Sequence, residues 1–292
     1  KQHCVDEALQ LFAEGLEIEP DNTYLLVGAG DGMRKQGRFR EAADRYEKAL
    51  KIDAVNIFAL RGLGDALRGL EQPERSVLYW KRCLEVNPSD VHVMVRLGDA
   101  YHRMGIFSES EFFYLKALRL NPDETYALMG IGNLYYKAND FDNALHHFEM
   151  LLKFDQSYPA VLTMVGNIYR RKSQYGMAKS SYEKVLILEK DNTFALFGMG
   201  DCARGAGDYN LAVVWWNKIL ELEPGNAAIQ TRIGDALVKL ERLDEAESIY
   251  RRSLALAATP FAKFGLARLY AKQGQLQRAK VLLQEFLSEC PE

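Results

Sequence analysis

The sequence predicts an all-α fold, an α-solenoid of stacked antiparallel helix pairs. Three observations predict it. Glycine recurs every 34 residues, at Gly30, Gly64, Gly98, Gly132, Gly166, Gly200 and Gly234. The residue after each is Asp or Asn: Asp31, Asp65, Asp99, Asn133, Asn167, Asp201 and Asp235. Between the glycines, apolar residues recur at helical spacing and do not alternate. A fixed period of this size marks a repeat architecture in which one supersecondary unit stacks on the next.

Aligned on the glycines, the chain reads as one array over 1–292: a partial repeat, 1–22, then 23–56, 57–90, 91–124, 125–158, 159–192, 193–226, 227–259 and 260–292. The seventh repeat is one residue short, and the eighth has Ala267 in the glycine position. The first half of each repeat carries a stripe such as Leu60, Leu63 and Leu67, or Leu128, Ile131 and Tyr135. A break follows, at Gly37, Gly105, Asn139, Gly207 and Gly274, residue types that tolerate the left-handed turn ending a helix. A bulky residue then opens the second half: Phe39, Phe107, Phe141, Tyr175 or Tyr209. A second stripe runs through positions such as Ala42, Tyr46, Ala49 and Leu50. Pro20, Pro88, Pro122, Pro224 and Pro291 stop the second helix, since proline cannot continue one. Each helix, at roughly 14 residues, rises about 21 Å. Such a pair cannot bury its apolar faces alone, so neighbours must stack.

The two ends carry apolar stripes with nothing polar to cap them: Ala8, Leu9, Phe12, Leu16 and Ile18 at one, Val281, Leu282, Leu283, Phe286 and Leu287 at the other. Terminal repeats ordinarily present a polar outer face. The expectation is either a segment of a longer protein or self-association through the end helices.

Composition narrows the function classes. Of 292 residues, 48% are hydrophobic and 26% charged, ordinary values for a folded chain. The net charge of -3 does not favour nucleic acid, and no apolar run approaches the roughly 20 residues of a membrane span. Cys4, Cys83, Cys202 and Cys290 form no CxxC pair, and Cys83 and Cys202 fall on core positions, which leans towards a reducing, cytoplasmic compartment.

Apparent chemical motifs dissolve into the repeat. Gly28-Ala29-Gly30, Gly62-Leu63-Gly64, Gly130-Ile131-Gly132 and Gly198-Met199-Gly200 mimic nucleotide-binding loops, but they lie inside helices with no strand before them. No two of His3, His92, His102, His146 and His147 have the helical spacing of a metal site. No nucleophile comes with a base at a recognisable spacing. The chain is expected to be no enzyme and to hold no cofactor or metal.

The pattern resembles the tetratricopeptide repeat, whose signature runs W-x2-L-G-x2-Y, then A-x3-F, then P. Leu97-Gly98-Asp99-Ala100-Tyr101 with Tyr114, Ala117 and Pro122 fits it, as do Ile131-Gly132-Asn133-Leu134-Tyr135, Ala144 and Phe148. The Trp position departs, holding Leu26, Leu60, Met94, Leu128, Leu162 and Leu196, then Gln230 and Lys263. The resemblance implies a right-handed superhelix whose concave groove is lined by the polar face of each first helix. On that face stand Asp99, Asn133, Asn167 and Asp201 from the residue after the glycine. Tyr136, Arg170 and Arg204 follow three residues on, with Arg171 beside Arg170, and Tyr126 and Phe194 lie seven residues before. Two readings stay open. Asp31 with Arg34, Asp65 with Arg68 and Asp201 with Arg204 could form a ladder of ion pairs, each worth about 0.2–0.5 kcal/mol. Alternatively the face binds an extended peptide, with Asn133 and Asn167 bonding its main chain and Arg170 and Arg171 gripping carboxylates. The chaperone-binding clamp of this family wants Lys four residues before the Asn, where Met129 and Thr163 stand. A mixed-charge partner fits better. The expected function is a protein–protein interaction scaffold binding an extended peptide or partner protein in the groove. The alternative is a substrate-recognition module of a larger enzyme.

Overall fold

The structure, a computed structural model, describes residues 2–256 and 260–289. Among them are 17 helices and no strand, and most of the described residues are helical. Cys290 and Pro291 lie outside the described residues, as do the side chains of His3 and Cys4. Contacts divide the chain into two compact units, residues 1–154 and 155–292.

Unit 1 opens with α1 (Gln2–Ile18) and continues as helix pairs: α2 (Thr23–Lys35) with α3 (Phe39–Ile52), α4 (Ile57–Gly69) with α5 (Pro73–Val86), α6 (Val91–Arg103) with α7 (Phe107–Leu120), and α8 (Thr125–Lys137) with α9 (Phe141–Phe154). Unit 2 repeats the scheme: α10 (Pro159–Arg171) with α11 (Tyr175–Leu188), α12 (Thr193–Gly205) with α13 (Tyr209–Leu222), α14 (Ala227–Lys239) with α15 (Leu243–Leu256), and α16 (Pro260–Lys272) with α17 (Leu276–Glu289). Every first helix has 13 residues. Every partner has 14.

Local chemistry fixes these bounds. Asn56, Asp90, Asn192 and Asn226 each sit just before a first helix, and their side chains accept from the backbone N–H three residues on. That satisfies a donor the helix itself leaves orphaned. At the other end, the N–H of Arg38, Gln72, Ile106, Asp140, Gln174, Asp208, Arg242 and Gln275 reaches back five residues to a carbonyl, the Schellman closure. That closure needs a left-handed residue, supplied by Gly37, Gly105, Asn139, Gly207 and Gly274 as the sequence predicts. Glu71, Ser173 and Glu241 take the same conformation without glycine's freedom.

Each unit has its own core. In unit 1 one cluster centres on Leu26, Tyr46, Leu63 and Leu67 and another on Trp80, Met94, Leu97 and Tyr114. In unit 2 Leu196, Trp216, Ile233, Tyr250 and Leu269 pack together. Cys83 and Cys202 are buried free thiols, and burial pushes each up to about 11.

Candidate functional site

The site begins with what the repeat glycines touch. A Cβ on Gly30 would meet the Tyr46 ring at 2.8 Å, and one on Gly62, in the next first helix, would meet the same ring at 2.4 Å. The ring is clasped between two helix backbones. Tyr114 lies likewise between Gly98 and Gly130, Tyr182 between Gly166 and Gly198, and Tyr250 between Gly234 and Gly265. Both glycines of each apparent nucleotide loop are thus packing sites. Where the clasped ring is Trp80 or Trp216, the second glycine is absent and Arg96 or Arg232 stands in its place. The first helices respond. α2 and α4, α6 and α8, α10 and α12, and α14 and α16 approach one another directly, whereas α4 and α6, or α12 and α14, stay further apart.

The residue after the glycine receives the ring's hydroxyl. Tyr46 donates to Asp31 at 2.7 Å, Tyr182 to Asn167 at 2.8 Å, Tyr250 to Asp235 at 2.7 Å, and Tyr114 donates to Asp99. Burial raises all four phenol pKa values. The bonds to Asp31, Asp99 and Asp235 raise three of them further. Tyr182, which faces a neutral amide and is opposed by Arg170, is pushed up to about 12.

At the Trp junctions no hydroxyl is available, and arginine takes over. Asp65 is buried between Arg96 (3.1 Å) and Arg34 (3.7 Å). Asp201 is buried among Arg170 (2.7 Å), Arg232 (3.0 Å) and Arg204 (3.5 Å). The two networks are copies spaced 136 residues apart, one in each unit. They make most of the charge ladder an inter-repeat device. The expected pairs Asp31–Arg34 and Asp201–Arg204 form. The pair Asp65–Arg68 does not form, because Arg34 and Arg96 hold Asp65 while Arg68 lies over the Trp80 ring at 5.9 Å. Arg96 is crowded: burial lowers its pKa, Asp65 opposes the shift, and Arg68, Arg61 and Arg34 add to it.

The candidate residues therefore divide. Asp99, Asn167, Asp201 and Arg170 are engaged within the protein. Arg204 is half-exposed beside Asp201, Arg171 is exposed, and Tyr136 leans on Phe141 with ring centroids 6.0 Å apart. Asn133 differs from its counterparts, because the ring of its repeat is Phe148. Its Oδ1 is buried with no hydrogen-bond partner among the described residues. Tyr126 and Phe194 stand in the open, at 70% and 74% exposure. They belong to a row on the first turn of first helices: Tyr24 and Phe58 in unit 1, at 78% and 61%, and Phe261 in unit 2, at 74%. Phe261 escapes a strict 34-residue count because the seventh repeat is short. Arg96 and Arg232 lie off the expected stripe, and only their shared R-x-G-D-A context, Arg96 to Ala100 and Arg232 to Ala236, hints at a common role. In unit 1 a cleft of about 460 Å³ opens among Tyr24, Phe58, Val27, Phe12, Asn56 and Asp31. Among the described residues no cluster of His, Cys, Asp and Glu could hold a metal ion, and no helix is long and apolar enough to cross a membrane.

Stacked helix pairs with an exposed aromatic row define a helical-repeat interaction protein. Two family models match the chain, both described as tetratricopeptide repeat. One covers residues 113–159 and 231–291, the other 91–124 and 159–192, together more than half the length. The chain belongs to the tetratricopeptide repeat family, and its repeats are those of a protein–protein interaction scaffold. No curated protein sequence matches it. Among solved structures, the C-terminal part of a TPR repeat-containing protein from Cytophaga hutchinsonii is similar at TM-score 0.70 and 19% identity, over 82% of this chain and 99% of that one. A tetratricopeptide repeat protein from Parabacteroides merdae is similar at TM-score 0.60 and 16% identity, over 80% and 92%. YrrB, described as a TPR protein with an unusual peptide-binding site, is similar at TM-score 0.56 and 18% identity, over 65% and 97%. At these identities the likeness concerns the fold.

Proposed function

We propose that the chain binds an extended segment of a partner protein along the exposed face of its first helices. The observation that carries this is the aromatic row. Burial gains about 25 cal/mol per Å² of apolar surface, so large rings held out of the core at one repeat position leave that gain to be realised by a partner. Tyr and Phe add contact area at little entropic cost, which suits an anchoring role. Asn133, half-buried on the same helix as Tyr126, carries an amide that can both donate and accept. Arg171 and Arg204 supply charge nearby on unit 2, and Tyr136 sits three residues from Asn133 on unit 1. YrrB is described as having a peptide-binding site, which is in keeping with this use of the fold.

The test is selection of a displayed random peptide library on the whole chain, followed by affinity measurement with the variants Tyr126→Ala, Phe194→Ala and Asn133→Ala. Peptides bound through this face lose affinity with these variants while helicity is retained. Selected peptides indifferent to all three place the binding surface elsewhere.

A further inference from the structure

Over the first seven repeats, one position of the second helix is almost always a base. Lys48, Arg82, Lys116, Lys184, Lys218 and Arg252 occupy it, and only the fourth repeat departs, with Met150. Lys48 and Arg82 show what the base does: it serves the turn that opens its own repeat. Lys48 Nζ donates to the Pro20 carbonyl at 2.6 Å and pairs with Asp21 at 3.4 Å. Arg82 Nη2 donates to the Ala54 carbonyl at 3.0 Å. The turn of the fourth repeat, residues 121–124, carries two acids, Asp123 and Glu124, and has no such base. Asp123 is exposed, and its carboxylate makes no ion pair or hydrogen bond among the described residues. Glu124 stands where Asn22, Asn56, Asp90 and Asn192 cap a first helix, yet it caps nothing. The Asn121 amide donates to it at 3.4 Å.

Three residues after Asp123 comes Tyr126, the exposed ring of this repeat. In the second repeat the equivalent ring is Phe58, and Arg61 lies over it, 5.7 Å from the centroid. The place of Arg61 is taken by Met129 in the fourth repeat. The second repeat thus sets a cation of its own at both the ring and the turn, and the fourth has methionine at both. The guanidinium groups on the first helices before it, Arg61 and Arg96, are committed to Asp90 at 3.7 Å and Asp65 at 3.1 Å. An exposed ring beside a turn with two acids and no base, with a pliable thioether one helical turn along, suits a side chain with an apolar stem and a cationic end. Resting on the peptide-binding reading above, we propose that the fourth repeat takes a Lys or Arg side chain of the bound segment. The stem lies against Tyr126 and Met129, and the charge pairs with Asp123, the exposed acid of the turn. The partner segment is therefore basic where it crosses this repeat. A polynucleotide is disfavoured, because the same acids repel a phosphate chain.

The experiment uses the full chain and fluorescent peptides of equal length: one Arg between two Phe, the same with citrulline for Arg, and the same with Glu for Arg. Citrulline keeps the shape of Arg and lacks its charge. The Arg peptide is expected to bind about fivefold more tightly than the citrulline peptide, a margin that shrinks as salt rises, and the Glu peptide to bind most weakly. Asp123→Asn removes the margin and leaves the citrulline peptide's affinity unchanged. Met150→Lys, which restores the base of the other repeats, removes the margin too, with Tyr126 untouched. Circular dichroism checks that both variants keep their helicity. Citrulline or Glu peptides that bind the unaltered chain as tightly as the Arg peptide overturn the proposal, and so does a margin that survives both variants. If that happens while library peptides bind through Tyr126 and Phe194, only this inference falls. If no peptide of either kind binds, the peptide-binding reading falls with it.

Discussion

Arg170 donates to Asp201 across the junction of the fifth and sixth repeats, Nη1 to Oδ2 at 2.7 Å. Arg232 approaches the other carboxylate oxygen from the seventh, so three repeats meet at one buried acid.

Removing that acid leaves its arginines facing one another. Breaking a buried pair costs about 3–5 kcal/mol, and the partial exposure of the arginines reduces this to about 2–3 kcal/mol for Asp201→Ala. Urea unfolding read by circular dichroism checks it, and an unchanged midpoint counts against a structural role for the network. Asp65→Ala is expected to act the same way on unit 1.

The clasped rings predict a sharp contrast between glycines. A Cβ on Gly198 would lie 2.3 Å from the Tyr182 ring, whereas one on Gly225 meets nothing within 4 Å. Gly198→Ala should destabilise by about 1–3 kcal/mol through overpacking, with Gly225→Ala close to neutral. Thermal melts of the two variants decide it, and equal melting temperatures contradict the clasp.

Phe148→Tyr supplies the one hydroxyl that the Tyr-type repeats have and the fourth lacks. Tyr182 shows where such a hydroxyl goes, to the Asn of its own repeat at 2.8 Å. Satisfying the Asn133 oxygen in this way should stabilise by about 1 kcal/mol. A denaturation curve checks this, and an unchanged midpoint counts against an unsatisfied oxygen at Asn133.

Stability should fall in alkali. The Tyr182 phenol moves from its ordinary 10.0 to about 12, mainly through burial. The folded state holds this proton more tightly than the unfolded state. The contribution is therefore whole below pH 10 and is lost as pH rises towards about 12. Tyrosinate absorbance and helicity followed together should change in step over that window, and Tyr182→Phe should flatten this part of the decline. Ionisation of Tyr182 at its ordinary pKa with helicity intact would contradict the enclosed ring.

The pair of helices and its bounds were legible because they rest on local rules. Gly37 and Asn139 advertise a left-handed closure by type, and both adopt it. Glu71, Ser173 and Glu241 do not advertise it; the closure on each side forces them into it. Tyr126 and Phe194 were legible as a row at fixed spacing, and the row is exposed. The fate of Asp201 and Asn167 was not legible, since it depends on Arg232 and Tyr182, side chains that only stacking brings near. The same holds for Arg68, which helical spacing assigns to Asp65 and packing assigns to Trp80.

The alternation of clasped rings also sets the register in which such a chain can be edited. Excising residues 57–124 rejoins Tyr46 to a helix bearing Gly130, which already fits around a tyrosine, Tyr114. Excising 57–90 alone brings Arg96 to the place where the Tyr46 ring requires bare backbone. At this seam the module is a tandem of two repeats, and the clasp on Tyr46 survives the even step and not the odd one.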